Sequence, residues 1–64
     1  MRLTDFWSRM EAVFGQRYAH SWAADHVLAS LAGRTVSQAL AEGESAKRVW
    51  AAVVAEVDVP GPLR

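Results

Sequence analysis

The 64-residue chain has no cysteine, no isoleucine, only four glycines and two prolines, and no excess of charge, since seven basic residues balance seven acidic ones. The missing cysteines exclude disulfide scaffolds, thiolate zinc sites and thiol nucleophiles together. The missing charge argues against a polycationic nucleic-acid binder. Neutrality also holds locally: residues 1–32 carry three basic and three acidic side chains, and residues 33–64 carry four of each. No apolar run approaches the ~20 residues that a membrane span needs. The start Met1-Arg2-Leu3-Thr4-Asp5 lacks the apolar core of a secretory signal. The expectation is a cytoplasmic protein with no membrane partner.

What is present is a helix-forming background. Apolar residues make up 52% of the chain, with twelve alanines, eight valines and five leucines, too apolar and too neutral for a disordered chain. The length allows one domain, at a size where folding buries only ~60% of the unfolded surface. Burial against chain entropy comes out near zero for such chains, so marginal stability or help from a partner subunit is expected.

Periodicity and punctuation divide residues 1–64 into helices at about 4–14, 16–32, 36–42 and 45–57, followed by a frayed tail at 58–64. Thr4 is placed to cap the first helix, and Phe6, Trp7, Met10, Val13 and Phe14 form its apolar face. The second helix, apolar on several sides, reads as the central one, ending at Gly33. Thr35 and Gln38 have capping-box spacing, Gly43 ends the short third helix, and Ser45 caps the fourth. Ala46, Val49, Trp50, Val53, Val54 and Val57 make the cleanest stripe. The expected fold class is all-α: a compact bundle of three main helices plus one short helix, joined through the tryptophans.

Few side chains point to chemistry. On one helix His20 and His26 lie six positions and ~120° apart, so they cannot converge on one ion as an i, i+4 pair does. Asp25 and His26 diverge, and no third orienting group is apparent. No catalytic, cofactor or metal site is therefore expected, and no enzyme. Asp25 has poor mid-helix propensity and is best accommodated by pairing, with Arg34 or the Gly33-Arg34-Thr35 loop as its partner. Asp25, Arg34 and Thr35 read as structural polar residues.

Two surfaces compete for a binding role. Ala39, Gly43 and Val49 have helix-turn-helix spacing, and Lys47 and Arg48 would be the phosphate contacts. Against that reading, Glu44 stands where an apolar residue is usual, three alanines offer little to base edges, and Glu42, Glu44, Glu56 and Asp58 flank the site. The alternative is a partner surface on the last helix, formed by Arg48, Ala51, Ala52 and Ala55, for an unknown protein or a second copy of the chain. Trp7, at the margin of the first helix's stripe, is a second possible contact or a third tryptophan in the core.

Met1-Arg2-Leu3-Thr4-Asp5-Phe6-Trp7, Asp25-His26-Val27-Leu28, Leu31-Ala32-Gly33-Arg34-Thr35, Gln38-Ala39-Leu40, Gly43 and Val49-Trp50 in this order resemble a small actinobacterial family, domain of unknown function 3046. The resemblance spans nearly the whole chain. It implies an actinobacterial, cytoplasmic, helical protein with a genomic association to DNA repair, and it carries over no catalytic residue. The leading expectation is a non-enzymatic protein-interaction module; the alternative is a weak DNA-binding or DNA-repair accessory protein using residues 35–56.

Overall fold

The computed structural model describes all 64 residues. Its order is helix α1 (Leu3–Phe14), helix α2 (Ala19–Asp25), strand β1 (Val27–Leu28), a 3-10 turn (Ala29–Leu31), strand β2 (Arg34–Thr35), helix α3 (Val36–Ala41), helix α4 (Ala46–Glu56) and a second 3-10 turn (Gly61–Leu63). The molecule is mostly helical but not all-α, because β1 and β2 pair antiparallel, Val27 with Thr35 and Leu28 with Arg34.

That hairpin corrects the long second helix, which has 7 residues rather than seventeen. Ala19 and Ala23 face the core, and Leu28 would lie ~140° round a continuing helix from Ala23. One straight helix cannot bury both against the same core. The chain leaves the helix at His26, which is extended, and β1 then turns Leu28 inward and Val27 outward. Ala32 and Gly33 both take positive φ, 59° and 80°, and the Gly33 N–H donates to the Leu28 carbonyl at 3.0 Å. Gly33 therefore shapes a hairpin loop rather than ending a helix.

Local signals elsewhere are realised with one exception. Thr35 and Gln38 form the complete capping box of α3, and the Ser45 hydroxyl accepts from the Arg48 N–H at 3.1 Å. Gly43, at φ 97°, lets the Glu44 N–H reach back to the Ala39 carbonyl at 3.0 Å, the wrap that closes many helix ends. The exception is Thr4, which lies inside the first turn of α1; Arg2 occupies the cap position and supplies no side-chain bond.

The centre of the core is α4, not α2. Val49, Trp50, Ala52 and Val53 are buried, and α4 touches α1, α3, β1 and the first 3-10 turn. Trp50 meets Phe6 edge-on at 6.1 Å, whereas Trp7 and Trp22 are only partly buried. Trp50 Nε1 is buried with no hydrogen-bond acceptor. The tail is not frayed: Val59 is 1% exposed, the second 3-10 turn rests on α1, and Arg9 Nη1 donates to the Arg64 carbonyl at 3.2 Å.

Candidate functional site

The turn between α3 and α4 is set by charge. Arg34 projects from β2 and donates from Nε to the Leu31 carbonyl at 2.8 Å, from Nη1 to Glu42 at 2.9 Å and from Nη2 to Glu44 at 2.7 Å. Glu44 also holds Arg48, one helical turn on, at 3.0 Å. The hydrogen bond from Arg34 holds the Glu44 carboxyl below its ordinary range, aided by Arg48 and opposed by partial desolvation. The same bonds, Glu44 first and Glu42 next, raise the Arg34 guanidinium. Asp25 has no part in this: it is exposed at the end of α2, and the Arg34 bonds go to Leu31, Glu42 and Glu44. The proposed Asp25–Arg34 pairing is not formed. Arg34 is held by those three partners, and Thr35 caps α3.

Beside α2 the aromatic rings stack. Trp7 of α1 lies against His20 at 4.1 Å, and Phe14, Trp22 and His26 form a second stack at 4.3 and 4.8 Å. The two histidines belong to different stacks, and no group of three or more His, Asp or Glu side chains is placed to hold a metal ion. The Trp7–His20 stack borders an open cavity of about 440 Å³ lined by Leu3, Thr4, Trp7, Ser8, Glu11 and His20. Glu11 approaches His20 Nε2 at 3.6 Å. Leu3 is 52% exposed beside the cavity.

These positions follow from sequence. Leu3, Trp7 and Glu11 recur at i, i+4 and i+8, one row round the helix from buried Phe6 and Met10. Thr4 and Ser8 complete the neighbouring row. The spacing is a legible signal for a second surface of α1 centred on Trp7. The family model described as "Protein of unknown function (DUF3046)" matches residues 1–62. The chain belongs to the DUF3046 family. No curated protein and no solved structure matches it.

In this DUF3046 chain Ala39 of α3 and Val49 of α4 are fully buried, and Gly43, at φ 97°, lies in the turn between the two helices. Its basic residues are not equivalent. Arg48 is committed to Glu44, which leaves Lys47 as the one cation of α4 without an ion pair. The alanine strip is also narrower than expected. Ala51 and Ala55 are exposed, but Ala52 is 6% exposed and belongs to the core, because it lies three residues from Val49 on the inward row. Glu56 is no mere flanking acid: its carboxylate accepts from the Ala29 N–H at 3.1 Å and ties the first 3-10 turn to the end of α4. No helix is long and apolar enough to cross a membrane.

Proposed function

We propose that this DUF3046 chain is a non-enzymatic protein-interaction module whose partner face lies on α1 and α2. The observation that carries the reading is the open cavity at Trp7 and His20, with exposed Leu3 beside it. Incompletely covered aromatic and aliphatic surface next to polar groups is the composition of interaction sites. The dispersal of His20, Asp25 and His26 supports the non-enzymatic half, since acid–base work needs groups that converge. An actinobacterial cytoplasm is the setting this reading assumes. The test is affinity capture from the native cell with wild-type protein, Leu3→Glu and Ala51→Glu. A partner held by wild type and Ala51→Glu but lost by Leu3→Glu supports the face on α1 and α2. Equal capture by all three, or loss only in Ala51→Glu, contradicts it.

A second reading, weak duplex-DNA binding, is favoured by the assembled α3–α4 pair with Gly43 at its turn. Phosphate-driven binding weakens steeply as salt rises. Salt-dependent binding to duplex DNA that disappears in Lys47→Glu/Arg48→Glu would establish it. Binding unchanged in that variant would end it.

A further inference from the structure

We propose that the cavity between α1 and α2 receives an arginine side chain presented by the partner protein. The inference rests on the interaction-module reading and gives the recognised surface a chemistry. Glu11 is the only acidic residue of the six that line the cavity. Its side chain is 37% exposed, and its one ion-pair neighbour, His20 at 3.6 Å, lies beyond hydrogen-bonding distance. That sets Glu11 apart from the other glutamates. Glu42 and Glu44 are taken by Arg34 and Arg48, and Glu56 by the Ala29 N–H. Glu11 is the glutamate whose acceptor capacity opens onto a cavity.

The rest of the lining selects among cations. Leu3 and Trp7 offer apolar surface to an aliphatic stem. Trp7 and His20 cover one another's facing surfaces, so a planar guanidinium meets the Trp7 edge and the outer face of the exposed His20 ring, where an ammonium acts only as a point charge. The Thr4 and Ser8 hydroxyls supply acceptors for N–H groups that Glu11 does not engage. An acidic side chain would meet the Glu11 charge, and a purely apolar one would cover that carboxylate without pairing it. The volume lies within the ~300–1,000 Å³ usual for small-ligand sites.

The experiment is a titration of nitrogen-15-labelled protein with N-acetyl-arginine amide, followed at the Trp7 indole N–H and the His20 ring. N-acetyl-lysine amide and N-acetyl-norleucine amide are the comparison probes. A single side chain gives saturable binding with a Kd of order ~1 mM, tightest for arginine. Glu11→Gln, a change on an exposed helix face, weakens arginine binding about threefold and leaves norleucine binding unchanged. Norleucine binding as tight as arginine, an unchanged arginine Kd in Glu11→Gln, or no response at Trp7 each overturns the arginine assignment. None of these removes the interaction-module reading, which the Leu3→Glu capture tests separately.

Discussion

At the scale of single residues, this protein uses its few charges for specific joints rather than for a general field. Arg34 is the main example, since one guanidinium ties the first 3-10 turn, Glu42 and Glu44 together. A carboxylate whose folded value is held below the ordinary 4.5 contributes stability above its unfolded value and loses it as pH falls through the folded value. Glu44→Gln therefore melts at a lower temperature than wild type at pH 7. The two melting curves converge as pH drops below ~4, where wild type has lost the pairing. Circular-dichroism melts across pH check this. A constant offset between the two proteins down to the most acid point would contradict it. Asp25 was open to misreading for a related reason. Its candidate partner, Arg34, was chosen by sequence proximity, and a hairpin decides where Arg34 points.

At the scale of elements, the terminal segment supplies the clearest test. Val59 is 1% exposed and the second 3-10 turn rests on α1, so Val59→Ala removes two buried carbons and costs about 1.5 kcal/mol. A chain this short loses roughly 4–8 °C in Tm per kcal/mol. A melt within 2 °C of wild type would show that the segment is frayed after all. The elements legible in the sequence are those governed by neighbours three or four residues away. The α1 stripe, the Thr35–Gln38 box, the Ser45 cap and the α4 stripe are all of this kind. The β1–β2 hairpin was not legible, because two-residue strands carry no alternation and Ala32 occupies a left-handed conformation usually left to glycine. Ala52 lies three residues from Val49, so helical spacing itself puts it on the inward row and apart from exposed Ala51 and Ala55. Of the candidate site, only Trp7 was foreseen. Leu3 and Glu11 share the Trp7 row of α1 by helical spacing, whereas His20 joins them because α2 folds back on α1, a contact that no local pattern encodes.

At the scale of the whole molecule, composition led to an expectation of marginal stability or dependence on a second subunit. The dimensions of the single chain are those of a compact fold. The accessible surface is 4000 Å² for 7.0 kDa, and the scaling for folded monomers gives about 4,000 Å². The radius of gyration is 10.5 Å against about 10.7 Å for a compact chain of this length. Sedimentation equilibrium is accordingly expected to give a 7.0 kDa species at all concentrations, and a mass that doubles with concentration would reverse this. The open cavity at Trp7 and His20 is where the proposed partner would sit. The location of that partner is tested most directly by placing a photo-reactive residue at Ser8 or at Ala51 and irradiating native cells. The account predicts a discrete cross-linked product from Ser8, at the cavity, and none from Ala51 on the exposed row of α4. A product from Ala51 alone would contradict it.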